Sequence, residues 1–149
     1  MRLIVHELKT ELYQEITVGE FPIFLAAVRP HLLVFNRAGL GSAELTIQVQ
    51  DSRGKKIAES EPLAVADLSA AAYAHKYYRF NVTAALRAGQ TYRIALRPGG
   101  GYSFSEAAYI AWCNGWDLRR NNASYEVTDF NAPLDMELWH RRGTKLGVA

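Results

Sequence analysis

The sequence has little cysteine, little proline and no excess of either charge. Its single cysteine, Cys113, cannot form a disulfide within the chain, so stability must come from packing. Lys and Arg number 17 against 15 Asp and Glu, and the resulting net charge of +2 gives no general attraction to nucleic acid or anionic lipid. No apolar run reaches the roughly 7 to 15 residues of a signal-peptide core or the roughly 18 of a membrane span. We therefore expect no nucleic-acid partner, no membrane partner, no signal peptide and no transmembrane segment.

The length and composition predict one globular domain. The chain has 149 residues, of which 49% are hydrophobic and 21% charged, and its mean hydropathy is −0.13. These values are ordinary for a soluble domain that buries a core. No linker divides the chain, so residues 1–149 are assigned to a single domain, with residues 1–20 forming either an N-terminal arm or a first strand.

Alternation of apolar and polar residues predicts half-buried strands, because successive side chains of a strand point to opposite faces. The clearest strand covers 44–50 and leads through Asp51 and Gly54 into a predicted hairpin. Strands over 77–82 and 91–97 are expected to be antiparallel neighbours, joined through a short glycine-containing turn. A fourth strand is expected near the C-terminus. The inward residues of the four strands are Leu45, Ile47 and Val49; Tyr78, Phe80 and Val82; Tyr92, Ile94 and Leu96; and Leu134, Met136 and Leu138.

Further apolar runs without alternation fit central strands of a sandwich. They cover 21–28, 32–35 and 107–112, and an extended stretch is expected at 14–18. One short helical turn is expected within 67–73. About seven to nine short strands separated by turns predict an all-β fold, a single antiparallel β-sandwich of jelly-roll type.

The order of these segments resembles the galactose-binding-like jelly-roll modules of carbohydrate-binding domains and of tailed-bacteriophage structural proteins. The resemblance covers roughly residues 21–140 and is carried by 24–29, 45–51, 78–82, 86–96, 109–112 and 132–139. It implies a virion protein, either a capsid decoration protein or a tail-associated one, assembled in the host cytoplasm. Its implied partners are copies of itself and other virion proteins. The lack of a leader agrees with assembly inside the host.

The chain carries none of the short motifs typical of enzymes. There is no Gly-x-Ser-x-Gly elbow, no phosphate-binding glycine loop and no metal spacing among His6, His31, His75 and His140. Cys113 is expected to be an inert thiol at a strand end. We accordingly expect no catalytic site, no cofactor and no metal, although a calcium ion held by distant loops stays open as an alternative.

One polar and aromatic cluster is the strongest candidate for ligand binding. Sugars are recognised by an aromatic ring against their C–H face and by amide, carboxylate and guanidinium groups on their hydroxyls. Those residue types occur together at Trp116, Asp117, Arg119, Asn121 and Asn122, with Tyr102 as a second platform. The alternative is that Trp116 packs beneath its own loop.

Two outward aromatics, Tyr77 and Trp139, are candidates for an oligomer interface. The leading hypothesis is thus a non-enzymatic structural and binding module of a virion. The alternative is a lectin-like carbohydrate-binding module that uses the Trp116 loop.

Overall fold

The structure is a computed structural model that describes residues 5–71, 74–114, 125–127, 134–143 and 145–146, with only the backbone described at 126–127. Its described residues form twelve β-strands and two 3-10 turns, at Arg37–Leu40 and Val65–Asp67. The strands are β1 (Val5–Glu7), β2 (Leu12–Val18), β3 (Ile23–Phe35), β4 (Glu44–Asp51), β5 (Lys56–Glu59), β6 (Leu63–Ala64), β7 (Ala74–Tyr77), β8 (Phe80–Leu86), β9 (Thr91–Gly99), β10 (Tyr109–Cys113), β11 (Tyr125–Val127) and β12 (Met136–His140). The described part includes no helix of the length and apolarity that a bilayer crossing requires.

The strands form two antiparallel six-stranded sheets, which confirms the predicted all-β sandwich. In the first sheet β10 and β12 pair with one side of β3, β7 and β8 pair with its other side, and β1 pairs with β10. In the second sheet the order is β11-β2-β9-β4-β5, and β6 also pairs with β4. Each sheet has one face toward the shared core and one outer face.

The core lies between the sheets and is built by the alternating residues of their strands. On β8 every second residue is buried, from Phe80 at 2% exposure to Leu86 at 0%. On β4 and β9 the predicted inward residues are buried too, which confirms those three strand patterns. Burying one such side chain contributes about 1.5–3 kcal/mol, so the inner faces hold the sheets together.

The long strand β3 organises the first sheet. Its first half pairs with β8 on one side and β12 on the other, and its second half pairs with β7 and β10. On the β7–β8 side the ladder is interrupted between Val28↔Phe80 and His31↔Tyr77. Pro30 lies in this gap and has no N–H to donate, although its carbonyl accepts from the Tyr78 amide at 3.2 Å. The strand predicted over 77–82 is therefore two strands in one register.

One predicted pairing is wrong. The strands at 77–82 and 91–97 were expected to be neighbours in one sheet, but β8 pairs with β3 in the first sheet and β9 pairs with β2 and β4 in the second. The turn after Leu86 carries the chain from one sheet to the other. Two strands that each have one apolar face can bury those faces as neighbours in one sheet or by lying in opposite sheets of the sandwich. Alternation alone therefore does not decide which strands pair.

The predicted hairpin between β4 and β5 is confirmed. One carboxylate oxygen of Asp51 accepts from the amides of Arg53 and Lys55, both at 2.9 Å, and Gly54 has a φ of 85°. The hydrogen bond from the Lys55 amide, followed by that from Arg53, holds the pKa of the Asp51 carboxyl below its usual value despite an opposing desolvation effect. At Gly54 this turn lies close to the side chains of Arg93 and Gln50.

Candidate functional site

Most of the predicted ligand cluster lies outside the described residues. This holds for Trp116, Asp117, Arg119, Asn121 and Asn122, whose role as a binding loop stays a prediction. The sixth member, Tyr102, is described and is half-buried against the core.

The hydroxyl of Tyr102 forms hydrogen bonds to two backbone groups of the protein. It donates to the carbonyl of Leu8 at 2.7 Å and accepts from the amide of Ile110 at 3.0 Å. Burial raises the pKa of this phenol above its usual value. The hydroxyl thus satisfies two backbone groups of fully buried residues, a structural role that holds the segment before β2 against β10.

The two predicted interface aromatics lie on the outer face of the first sheet. The ring of Tyr77 stacks on that of His31, with centroids 4.6 Å apart and planes 18° from parallel, and its hydroxyl donates to Asp135. Burial, followed by this hydrogen bond, raises the pKa of the phenol well above its usual value. Trp139 donates through its indole N–H to Glu137 at 3.2 Å. Both residues make contacts within the chain, and their role in an interface is untested.

Tyr77 is part of a compact group that we call the histidine cluster: His31, His75, Tyr77 and Asp135. Nδ1 of His31 lies 3.0 Å from the Asp135 carboxylate, and its Nε2 lies 2.8 Å from Nδ1 of His75. The four residues come from β3, from β7 and from the position before β12. Asp135 also fixes this corner through its backbone, since its carbonyl accepts from the His31 amide at 2.9 Å. The cluster therefore ties three segments of the first sheet together.

Cys113 lies beside this cluster but is unsuited to nucleophilic chemistry. Its side chain is fully buried, and burial together with the nearby charge of Asp135 raises the pKa of the thiol to about 12. A thiolate is the reactive form of cysteine, so this residue is inert at neutral pH. Both ring nitrogens of His31 are already bonded to Asp135 and His75.

A second group lies on the outer face of the second sheet, and we call it the amide face: Gln48, Gln50, Arg93 and Arg97, with Glu11, Tyr13, Glu15 and Glu59 around them. The amide nitrogen of Gln50 donates to the amide oxygen of Gln48 at 3.0 Å, and Arg97 donates to the same oxygen at 3.2 Å. Gln48 donates in turn to Glu59 at 2.5 Å. Glu11 closes the network, with a carboxylate oxygen 3.2 Å from the Arg97 guanidinium. These planar groups hold one another in fixed orientations.

The amide face contains two buried polar atoms without a hydrogen-bond partner. They are Oε1 of Gln50, a residue that is 3% exposed, and Nε of Arg93, which lies 3.9 Å from a carboxylate oxygen of Glu15, an ion pair beyond hydrogen-bond distance. A Cβ built on Gly54 would lie 3.1 Å from a guanidinium nitrogen of Arg93 and 3.9 Å from Oε1 of Gln50, which places both groups beneath the hairpin turn. The guanidinium of Arg93 also lies 4.5 Å from the ring centroid of Tyr13, which is 44% exposed.

Sequence reasoning missed both groups. The alternation over 44–50 placed Gln48 and Gln50 on the outer face, where glutamine is usually solvated, and gave no sign that they would be 7% and 3% exposed. His31 and His75 are 44 positions apart, outside any metal or catalytic spacing. Only the pairing of β3 with β7 brings these two imidazoles together.

Comparison with known proteins gives no family for the chain: no protein-family model, curated protein or solved structure matches it. Its fold and its two outer-face groups therefore carry the functional argument.

Replacing Tyr102 with phenylalanine tests whether its hydroxyl is structural. The change leaves the Leu8 carbonyl and the Ile110 amide without their partner, and an unsatisfied buried group costs about 1–3 kcal/mol. We expect the free energy of unfolding in urea to fall by about 2 kcal/mol. Tyr13→Phe is the matched control and should change it by less than about 0.5 kcal/mol, as exposed substitutions usually do. Wild-type stability of Tyr102→Phe would contradict the structural role and favour a ligand platform.

Proposed function

We propose that the protein is a non-catalytic recognition module that binds a polyhydroxylated ligand, a glycan, on the amide face of its second sheet. The observation that carries the proposal is the fixed network of amide, guanidinium and carboxylate groups around Gln48 and Gln50. These are the groups that bond sugar hydroxyls in both directions, as donors and as acceptors.

The position of the two glutamines favours binding over packing. Their side chains lie on the face away from the core, where their burial adds nothing to the apolar interior. Departures from the usual pattern of a solvated outer face are expected where a protein has a function to perform. A network that is rigid before the ligand arrives also loses less entropy on binding.

The two unpartnered atoms indicate what kind of group the site accepts. Oε1 of Gln50 can only accept a hydrogen bond, and Nε of Arg93 can only donate one. A hydroxyl does both, so one sugar hydroxyl beneath the Gly54 turn would satisfy both atoms. A carboxylate or phosphate cannot donate to Gln50, which favours a neutral sugar.

Tyr13 supplies the aromatic part of the site. In the free protein the guanidinium of Arg93 covers this ring at 4.5 Å. We envisage that the ligand draws Arg93 away from the ring, after which the C–H face of the sugar packs against Tyr13. This exchange also gives the ligand access to the two unpartnered atoms.

The environments of Cys113 and His31 in the first sheet support a role without catalysis. Cys113 is buried with its pKa raised, and His31 has both nitrogens engaged. General base catalysis requires a nitrogen within hydrogen-bond reach of a reacting group. The histidine cluster offers no such open nitrogen on His31.

Glycan-array screening of the intact chain tests the binding proposal, with affinity for the retained glycan then measured on variants. Tyr13→Ala should weaken binding about tenfold or more, which corresponds to about 1.4 kcal/mol of lost contact. Phe24→Ala is the matched control, because Phe24 is an exposed ring on the outer face of the other sheet. Its affinity should equal that of the wild type.

A third variant separates the two locations for the site. Loss of binding in Trp116→Ala with normal binding in Tyr13→Ala would place the ligand on the 116–122 loop and overturn the amide-face proposal. An array on which the wild type retains no glycan would overturn glycan recognition altogether.

A virion setting is the second candidate, and it is compatible with the first. It is supported by the sequence resemblance to phage-borne jelly rolls and by the two-sheet architecture. Particle proteins assemble with copies of themselves and with other virion proteins, and large exposed apolar side chains favour such contacts. Phe21, which lies between β2 and β3, is 71% exposed.

Light scattering of the purified chain tests the assembly role. We expect a multimer, a trimer or larger, and we expect Phe21→Ser to lower the mass toward that of the 16.7 kDa chain. Tyr77→Ser and Trp139→Ser test, in the same way, the two interface residues predicted from the sequence. A monomer at every concentration would contradict self-assembly.

A further inference from the structure

Two imidazole nitrogens of the histidine cluster converge on one point. Nε2 of His31 and Nδ1 of His75 are 2.8 Å apart, and their ring centroids are 5.0 Å apart. A carboxylate only accepts hydrogen bonds, so the proton on His31 lies on Nδ1, toward Asp135. Nε2 of His31 therefore carries a lone pair, and it accepts the one proton of this contact from Nδ1 of His75.

Two imidazole nitrogens placed this close together can act as ligands of one metal ion. Imidazole nitrogens bind Zn²⁺ at about 2.0–2.1 Å in tetrahedral geometry, which places two nitrogens about 3.3 Å apart. The observed separation of 2.8 Å is about 0.5 Å shorter. His75 lies on the exposed part of β7, so rotation of its side chain suffices to open this space.

The surroundings of His31 are those of an oriented metal ligand. A ligating histidine usually donates its other N–H to a carboxylate, which fixes the ring and makes it more basic. Asp135 occupies this place at 3.0 Å, and the stacked ring of Tyr77 fixes the plane of His31. The hydroxyl of Tyr77 donates to the same carboxylate. Asp135 and Tyr77 thus set the orientation of His31 before any ion binds.

We propose that His31 and His75 form a binding site for a divalent transition-metal ion, with Asp135 as the orienting carboxylate behind His31. The ion accepts the lone pairs of His31 Nε2 and His75 Nδ1. The proton that His75 held on Nδ1 is lost to solvent while Nε2 of the same ring takes one up, so both imidazoles bind the ion as neutral ligands. Imidazole ligands favour Zn²⁺, Ni²⁺ or Cu²⁺ over Ca²⁺ or Mg²⁺.

The site has two protein ligands and open positions. Among the residues that the structure describes, no three His, Cys, Asp or Glu side chains form a metal-binding group. Water, or a donor from a partner molecule, completes the coordination. A bound ion links β7 to the second half of β3 through its side chains, beyond the backbone pairing His31↔Tyr77 to Val34↔Ala74.

Isothermal titration calorimetry of the intact chain with ZnCl₂ and NiCl₂ at neutral pH tests the site. We expect saturation at one ion per chain. His75→Ala removes one of the two ligands from an exposed position and should weaken binding at least tenfold. Asp135→Asn, which keeps the shape of the side chain, should weaken it about 10- to 100-fold, the usual effect of losing an outer-shell partner.

Two controls make the result specific. His140→Gln alters a histidine of β12 outside the cluster and should bind as the wild type does. In nitrogen-15 NMR spectra of the wild type, the added ion should move the resonances of His31 Nε2 and His75 Nδ1. MgCl₂ should produce no saturable heat.

Either of two results would overturn the proposal. One is the absence of saturable binding with both ions. The other is binding that persists unchanged in His75→Ala, which would mean an adventitious site elsewhere. If Asp135→Asn loses its fold, seen by circular dichroism, then His75→Ala and the NMR shifts still decide the question.

Discussion

The two-sided pairing of β3 is the constraint on which the first sheet depends. This strand of thirteen residues, Ile23–Phe35, hydrogen-bonds to β8 and β7 along one side and to β12 and β10 along the other. Its inward side chains fill the core, and its outward ones define the outer face. Because Pro30 cannot donate to the ladder, β7 and β8 separate opposite it, and the side chains of His31, Tyr77 and Asp135 join the segments around this gap.

The outer faces of the two sheets differ in the polar interactions that order their side chains. On the first sheet a carboxylate, Asp135, holds a phenol and an imidazole, and its own backbone is tied to neighbouring strands. On the second sheet the amides of Gln48 and Gln50 form the centre of a network that includes Arg97 and Glu59. A satisfied polar network gives rigidity, whereas an unsatisfied member costs free energy. The buried atoms that lack a hydrogen bond, Oε1 of Gln50 and Nε of Arg93, are therefore the strongest reason to propose a binding function for this face.

The sequence predicted the core better than the surface groups. Alternation at Leu45, Ile47 and Val49 follows directly from burial of one strand face, and the structure has all three at 0% exposure. The same alternation could not decide that β8 and β9 lie in opposite sheets, since partner choice depends on the whole topology. His31 meets His75 only through the pairing of β3 with β7, and Gln50 lies opposite Arg93 only through the pairing of β4 with β9. The predicted loop residues 116–122 lie outside the described structure and stay a prediction.

We propose that the amide face serves recognition and not stability. Replacing Gln48 and Gln50 together by methionine tests it directly, because methionine has a similar shape and removes both partners of the amide pair at once. Replacing both partners of a hydrogen bond by apolar groups is often neutral or stabilising. The charged partners that Gln48 leaves behind, Glu59 and Arg97, are 40% and 50% exposed, so water can take its place. We expect an unchanged or higher midpoint of thermal unfolding, together with loss of glycan retention. A much lower midpoint with glycan retention unchanged would contradict it and identify the network as a structural one.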